Sequence, residues 1–303
     1  MPPASLVLPA SGLVLAPLLF GLINRTKAVF AGRRGQPLLQ AYHDLFKLLG
    51  KGAVYSRTTT WVFRAGPIVG LAVALASLAL LPIAGQPAPV GFGGDVVLFA
   101  YLWALARFFT VLAALDTGSA FEGMGASREV QFSALAEPTL FLGLATLARV
   151  SGDLSLSGMV GAGLPAAWAA QGSSLALVAA ALFVVVLAEN ARIPVDDPTT
   201  HLELTMIHEV MVLDHGGPDL AFILYGSTLK LWVLGGLLVN LAVPVRTGNP
   251  WLDGAAFLGG MAALAVAIGV VESTMARQKL LRVPHLLLGA GAMSALALVF
   301  LVR

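Results

Sequence analysis

The residues most able to do chemistry lie between positions 188 and 219, where carboxylates, one arginine and three histidines separate two long apolar runs. The charged side chains that carry this pattern are Glu189, Arg192, Asp196, Asp197, Glu203 and Glu209. Carboxylates exchange protons and pair with cations. Because only 11% of the residues in the chain are charged, their concentration here predicts a functional surface where an apolar environment meets a polar one.

The histidines of this segment do not form a metal motif. His201, His208 and His215 recur every seven residues, and this spacing puts them about 10 Å apart along a helix, too far to share one ion. His208-Glu209 also lacks the second histidine of an HExxH zinc site. The sequence contains no cysteine, which excludes disulfides and iron–sulfur ligation within the chain. We therefore expect this segment to bind no metal.

Local signals in the same segment predict a helix. Asp197 can cap a helix that begins at Pro198, and Gly216-Gly217-Pro218 would end it after about sixteen residues. Residues 189–218 are therefore expected to form an acidic loop that contains one capped helix.

A second acidic series precedes this loop. Glu122, Glu129 and Glu137 are separated by seven and eight residues, so one continuous helix would carry them on one broad face. Pro138 removes a helix hydrogen bond and can open the backbone to water beside Glu137. The alternative is a neutral Glu137 that is hydrogen-bonded to a neighbouring helix. Together with Asp116, these glutamates are candidates for an internal ion path.

Charged residues also interrupt the apolar runs themselves. Lys230 lies near the middle of one run, where a cation costs roughly 3 kcal/mol or more unless it faces carboxylates or water inside the protein. Lys230 is therefore a candidate for the same path. Arg107 and Glu272 also lie within apolar runs, and their alternative role is to extend toward the surface or to form a plain ion pair.

The elements that position these groups are membrane-spanning helices. Of 303 residues, 58% are hydrophobic, and the mean hydropathy is +0.87. Eight apolar runs are each long enough, or nearly so, to cross roughly 30 Å of hydrocarbon, and runs of this length are helices rather than barrel strands. They cover residues 5–23, 65–84, 96–115, 130–150, 172–189, 219–243, 254–272 and 283–302. We predict an all-α fold with a single membrane domain over residues 1–303.

The distribution of lysine and arginine predicts the orientation of these spans. Most of these residues lie in the odd-numbered connections, which the positive-inside rule assigns to the cytoplasm, so both termini are expected outside. The first run has no basic n-region and no distinct cleavage site, so we expect a retained span. The net charge of +2 follows from this topology and does not indicate a nucleic-acid partner.

Residues 25–64 are too apolar for a free loop. Leucines and aromatic residues recur there at three- and four-residue steps, which predicts an amphipathic helix of about twelve residues from Pro37 to Gly50 in the plane of the interface. A surface helix that only orients the spans is the simpler alternative. The basic residues that suit this segment to a partner's carboxylates or to membrane lipid phosphate are Arg25, Arg33, Arg34 and Lys47.

Five short stretches of the sequence resemble motifs of a known family. They are Ile23-Asn24-Arg25, Phe30-Ala31-Gly32-Arg33-Arg34-Gly35, Leu38-Leu39-Gln40, Leu45-Phe46-Lys47 and Glu189-Asn190-Ala191-Arg192-Ile193-Pro194-Val195-Asp196-Asp197-Pro198. The chain resembles the membrane subunit shared by respiratory complex I and the membrane-bound nickel–iron (NiFe) hydrogenases, which also has eight spans. The sequence after Arg192 is similar to the hydrogenase branch, including formate hydrogenlyase, and differs from the complex I pattern Arg-Ala-Pro-Phe-Asp.

The resemblance implies a non-catalytic subunit in a prokaryotic cytoplasmic (inner) membrane. Its implied partners are a NiFe hydrogenase-type large subunit, an iron–sulfur small subunit and antiporter-like membrane subunits. The NiFe and iron–sulfur clusters are expected in those partners, since the subunit holds no cofactor and no active site of its own.

The resemblance also implies roles for individual residues. Glu137 matches the intramembrane glutamate at the start of the family's internal ion path. The acidic loop from Glu189 to Glu209 matches the loop that faces the quinone cavity in complex I relatives. Arg33, Arg34 and the helix after Pro37 match the element at the entrance of that cavity.

Three functions fit the sequence. The main hypothesis is a subunit that couples electron transfer in a peripheral arm to the movement of protons or sodium ions. The alternatives are a passive anchor, whose buried charges only hold helices together, and a quinone-cavity subunit of complex I. A free-standing transporter is disfavoured, because the sequence shows neither an inverted repeat nor paired broken helices.

Overall fold

Eight membrane-spanning helices make up the fold. The computed structural model describes residues 4–196 and 206–302. In that part of the chain, eight helices are long and apolar enough to cross a membrane, which confirms an all-α polytopic membrane protein. The helices are α1 (Ala4–Phe30), α2 (Gln40–Leu49), α3 (Trp61–Leu80), α4 (Asp95–Asp116), α5 (Ala120–Ser151), α6 (Leu156–Met159), α7 (Leu164–Glu189), α8 (Gly217–Ala242), α9 (Pro250–Thr274) and α10 (Val283–Val302). All except α2 and α6 are spans.

Consecutive spans run in opposite directions, so alternate connections lie on the same side of the bundle. The connections that share a side with the end of α1 cover residues 31–60, 117–119, 190–216 and 275–282. We call this the basic side, because its connections hold more lysine and arginine than those on the other side. The acidic segment after Glu189 lies on it.

Several spans are longer than the apolar runs in the sequence. Helix α1 continues to Phe30, so Arg25 and Lys27 lie on a helix rather than in the connection where the sequence placed them. Helix α5 begins at Ala120, well before residue 130. The added turns carry charged side chains that have partners inside the bundle, which explains why apolar content alone gave bounds that were too short.

The amphipathic helix α2 is present, with shorter bounds than predicted. It begins at Gln40, because residues 38–39 form a turn, and Gly50 ends it. The Tyr42 hydroxyl donates a hydrogen bond to the Val14 carbonyl on α1. Phe46, on another face, is 73% exposed. Helix α2 therefore packs beside the bundle and leaves part of its apolar surface outward.

The helix predicted from Pro198 to the Gly216-Gly217-Pro218 sequence is not formed in residues 206–216. Its first part, with Asp197, lies outside the described residues. Residues 206–208 are not helical, and residues Glu209–Val212 form a single 3-10 turn. Gly217 and Pro218 begin α8 instead of ending a helix. Tertiary contacts override the local signals here, because Ile207, Val210 and Met211 are buried against the bundle.

Helix α8 passes through the centre of the packed core. Leu229, Trp232 and Leu237 on this helix are buried, as is Asn240 near its end. The Asn240 amide accepts a hydrogen bond from the Ala84 N–H (3.1 Å) and donates one to the Pro82 carbonyl (2.8 Å). This satisfies backbone groups of the turn after α3 that would otherwise be buried without partners.

Candidate functional site

Arg107 on α4 is bound by three carboxylates inside the bundle. Its Nε lies 3.0 Å from Glu129 Oε1 on α5, and its Nη2 lies 2.6 and 2.8 Å from the two Glu189 oxygens on α7. Its Nη1 donates to Glu137, also on α5. A planar guanidinium offers five N–H donors, so one arginine can donate several hydrogen bonds to three carboxylates at once. A lysine ammonium has only three donors.

Lys230 on α8 extends this group of charges. Its Nζ lies 2.8 Å from Glu189 Oε2, and 5.6 Å from the centre of the Trp103 ring. The sequence-based expectation that Lys230 faces a carboxylate inside the bundle is confirmed. We call Arg107, Glu129, Glu137, Glu189 and Lys230 the ionic network.

The ionic network joins four helices. Helices α4, α5, α7 and α8 each contribute at least one member. The Arg107 side chain is 11% exposed and that of Glu189 is 9% exposed, so both have lost most of their hydration. Buried ions of this kind are retained only when paired, because removing one partner leaves an uncompensated charge. The network therefore combines three carboxylates with the two basic side chains of Arg107 and Lys230.

His208 connects the ionic network to the loop on the basic side. Its Nε2 lies 3.1 Å from Glu129 Oε2, and its Nδ1 lies 3.4 Å from Asp196 Oδ2. The backbone N–H of His208 also donates to Asp196 Oδ2, at 3.1 Å. Asp196 Oδ1 accepts a hydrogen bond from Arg277 at 2.9 Å. Charged contacts thus continue from α8 through the bundle to residue 277.

The electrostatics of His208 and Asp196 favour their charged forms. Burial alone lowers the pKa of His208, but the carboxylates of Glu129 and Asp196 outweigh burial and raise its pKa above the ordinary value of 6.5. For Asp196, burial raises the pKa, but His208 and Arg277 outweigh it and hold the pKa below the ordinary 3.8. Each group therefore stabilises the ionised form of its neighbour.

A cavity of about 150 Å³ lies against the network. Its charged end is formed by Arg107, Glu129, His208 and Lys230, and the rest of its wall is largely apolar. Part of the wall is backbone, because Gly66 and Gly70 on α3 and Gly226 on α8 line it. The cavity is large enough for several water molecules, and its charged end supplies the polar partners they require.

A separate ion cluster lies near the end of α9. Glu272, whose side chain is fully buried, binds Lys27 Nζ at 2.9 Å and Arg192 Nη1 at 3.4 Å. The Arg192 guanidinium also lies 4.4 Å from the centre of the Phe20 ring. This cluster ties α1, α9 and the segment after α7 together. The structure thus divides the acidic-loop candidates, since Arg192 belongs to this cluster and Asp196 to the His208 contacts.

The remaining predicted site residues lie apart from both groups. Asp116 accepts hydrogen bonds from the N–H and hydroxyl of Thr60 and so joins the end of α4 to the start of α3. Glu122 is buried and accepts a hydrogen bond from the Asp214 N–H at 3.2 Å. Glu209 lies in the 3-10 turn. Asp197 and Glu203 lie outside the described residues.

The predicted interfacial residues are exposed on the basic side. Arg25 Nη1 donates a hydrogen bond to the Arg34 carbonyl at 2.7 Å, which holds the turn after α1 against the helix. Arg33, Arg34 and Lys47 are exposed. Their expected contact with lipid or a partner stays a prediction.

The roles of Arg107 and His208 in the site are not apparent from the sequence. Arg107 was visible as a charge within an apolar run, but nothing in the sequence shows that three carboxylates surround it. His208 was considered only as a metal ligand, because the positions of Glu129 and Asp196 beside it depend on the packing of the loop against α5. In the sequence, Arg277 and Lys27 contribute only to the distribution of lysine and arginine that predicts the topology.

Eight spans around a buried network of paired charges define a polytopic membrane protein with an ionic network inside its apolar core. The sequence matches the NADH dehydrogenase family over residues 4–303, and the chain belongs to that family.

Two curated relatives are similar over most of the chain. Formate hydrogenlyase subunit 4 of Escherichia coli (strain K12) is 33% identical over 259 residues, which cover 85% of this chain and 81% of the relative. Hydrogenase-4 component C of the same organism is 32% identical over 295 residues, covering 95% and 92%.

One solved structure shares the fold. A chain of the membrane-bound sulfane sulfur reductase, an archaeal respiratory membrane complex, superposes with a TM-score of 0.83 at 20% identity and covers 98% of both chains.

Proposed function

We propose that this chain is the membrane anchor and coupling subunit of a hydrogenase complex related to complex I, and that it links electron transfer in a peripheral arm to proton or sodium movement. Its similarity to a formate hydrogenlyase subunit and a hydrogenase-4 component supports the hydrogenase branch. The expected partners are a NiFe large subunit, an iron–sulfur small subunit and antiporter-like membrane subunits. We expect the complex in the cytoplasmic membrane, with both termini of this chain outside.

The observation that carries the proposal is the unbroken series of ionic contacts from Lys230 through Glu189, Arg107 and Glu129 to His208 and Asp196. A passive anchor needs paired charges, but it does not need them connected from the core to a surface loop. Isolated charges inside a membrane protein are expensive, and those that persist commonly mark ion or proton pathways.

Coupling requires that events at the loop change proton affinity inside the bundle. A nearby charge shifts the pKa of a buried carboxylate by about 1–3 units. Redox changes in a partner bound at the basic side would act on Asp196 and His208 first, and the contact of His208 with Glu129 would carry the effect inward. Glu137 is the outermost carboxylate of the network, with a side chain that is 38% exposed, which suits it to exchange protons with a neighbouring subunit.

Replacement of Glu137 by glutamine tests this proposal. The variant complex should keep dye-linked hydrogenase activity, because that chemistry occurs in the partner subunits. In vesicles it should lose the turnover-driven pH gradient by about tenfold or more, since an amide cannot carry the proton. The gradient would be measured with a pH-sensitive dye at matched rates of hydrogen formation.

The matched control is Glu122→Gln on the same helix. Glu122 is buried but contacts the Asp214 backbone rather than the network, so this variant should retain the gradient. An undiminished gradient in Glu137→Gln would reject the coupling role.

The cluster of Lys27, Glu272 and Arg192 supports the passive-anchor alternative for part of the molecule. If the whole chain is only an anchor, neutralising Arg192 should weaken assembly without changing the ratio of ions moved to electrons transferred.

The subunit composition of the purified complex distinguishes the complex I alternative from the hydrogenase proposal. Copurification of the chain with quinone-module or NADH-module subunits, rather than hydrogenase subunits, would reverse the assignment.

A further inference from the structure

The His208 ring lies between two carboxylates, with one of its nitrogens near each of them. Nε2 faces Glu129 Oε2 at 3.1 Å, and Nδ1 faces Asp196 Oδ2 at 3.4 Å. A neutral imidazole carries one N–H and one lone pair. With both carboxylates ionised, a neutral ring would turn its lone pair toward a carboxylate oxygen. This arrangement therefore favours one additional proton among these three side chains.

The surroundings of His208 do not remove this preference. Glu129 Oε1 is bound to Arg107, and Asp196 Oδ1 is bound to Arg277, so both carboxylates have cationic partners that favour their ionised form. Other charged groups near His208 include Glu189 on α7 and Lys230 on α8, and Arg128 on α5 lies near Asp196. Both ring nitrogens face carboxylates that are already paired, so the imidazole is the natural site for the added proton.

The position of His208 separates two environments. Asp196 belongs to the connection on the basic side, whereas Glu129 lies on span α5 inside the bundle. His208 also lines the cavity at the charged end of the network. Its imidazole contacts both Asp196 and Glu129 of the network.

We propose that His208 is a proton relay residue, which receives a proton at Nδ1 from Asp196 and releases one from Nε2 to Glu129. This inference rests on the proposed coupling function and assigns its first internal step. When Asp196 gives up its proton, one O–H bond breaks and an N–H bond forms at Nδ1, which produces the imidazolium. When Glu129 accepts, the Nε2–H bond breaks and an O–H bond forms. One proton has moved inward, and the ring is neutral again as its other tautomer.

Two substitutions separate a relay from a structural charge. In the purified complex in vesicles, His208→Gln should keep dye-linked hydrogenase activity and lower the turnover-driven pH gradient by at least about tenfold, because glutamine cannot take up a proton. His208→Lys keeps a positive charge between the carboxylates, but its single nitrogen cannot accept at one atom and release at another. The lysine variant should therefore lose the gradient too, and recovery of the gradient would overturn the relay.

His285→Gln is the matched control, because His285 is exposed and contacts the Leu281 carbonyl in the 3-10 turn just before α10. It should behave as the unsubstituted complex.

The pH dependence of coupling distinguishes a relay from a purely structural role, because a structural role of His208 would not make coupling depend on its protonation. The ratio of protons moved to electrons transferred should fall as the pH rises through the pKa of His208, which lies above 6.5, because the imidazolium is then no longer populated. The residual activity of His208→Gln should lack this decline, and an identical decline in that variant would contradict the inference.

The Glu137→Gln experiment keeps the two hypotheses distinct. If Glu137→Gln loses the gradient while His208→Gln retains it, coupling stands and the relay through His208 is rejected. If both variants retain the gradient, the proposed coupling function itself is rejected.

Discussion

At the scale of single residues, Arg107 explains how a membrane interior holds three glutamates. Glu129, Glu137 and Glu189 come from two helices, and each accepts a hydrogen bond from the same guanidinium. The sequence showed these carboxylates and also showed the arginine. It could not show that they meet, because residues 107, 129 and 189 approach one another only through the packing of α4, α5 and α7.

Removal of Arg107 should destabilise the protein more than removal of a surface arginine. Arg107→Ala leaves three carboxylates without their shared cation, and breaking a buried ion group by deleting one partner costs about 3–5 kcal/mol. Arg149→Ala, at an exposed position on α5, is the control and should change stability by roughly 0.5 kcal/mol or less. Thermal unfolding in detergent measures both. Equal unfolding temperatures would show that the network contributes no net stability.

At the scale of elements, the contact between α5 and residues 206–212 places His208 beside Glu129. Gly125 on α5 makes this contact close, because a Cβ at that position would lie 2.2 Å from Val210 Cγ1 and 2.8 Å from the Ile207 carbonyl oxygen. The segment can therefore lie directly on the helix backbone. A prediction from the capping signals of the sequence misses this arrangement, since those signals describe local preference and not the space that a neighbouring helix leaves.

Gly125→Ala should move residues 206–212 away from α5. The added methyl group cannot fit beside the Ile207 backbone without a shift, and overpacking of this kind typically costs about 1–3 kcal/mol. Gly123→Ala, two residues earlier, adds a methyl group that meets only Leu115 Cδ2 at 3.9 Å, and it should be neutral or stabilising. Thermal unfolding and the vesicle pH gradient measure the two effects. A Gly125→Ala variant as stable and as well coupled as Gly123→Ala would show that this close contact is unimportant.

At the scale of the whole molecule, the described residues include two separate groups of ion pairs, the ionic network with its His208 contacts and the cluster of Lys27, Glu272 and Arg192. The sequence predicted the number of spans and the all-α class, because apolar length and composition determine them. It also identified Lys230 and the acidic series, because charge in an apolar run is conspicuous. The sequence did not show which candidate site residues belong together. Only the fold assigns Arg192 and Glu272 to one group and Asp196 and Glu129 to the other.

Glu272→Gln should separate stability from coupling. It leaves Lys27 and Arg192 without a carboxylate, and we expect a loss of stability of about 3–5 kcal/mol, as for other broken buried pairs. Complexes that remain assembled should keep the same ratio of protons moved to electrons transferred, since neither partner of Glu272 contacts the ionic network. The unfolding temperature and the vesicle ratio are measured on the same preparation. A changed ratio in assembled complexes would mean that the cluster takes part in coupling.

The cavity wall has a consequence for how this protein can diversify. Gly70 and Gly226 line the cavity, and a methyl group at Gly70 would meet no heavy atom within 4 Å, while one at Gly226 would meet Leu71 Cα at 3.8 Å. A methyl group could therefore be added from either helix without displacing the framework that holds the charges. The hydration of the chamber is adjustable by single substitutions, so descendants of one ancestral scaffold could evolve wetter or drier interiors while keeping the same arrangement of ions.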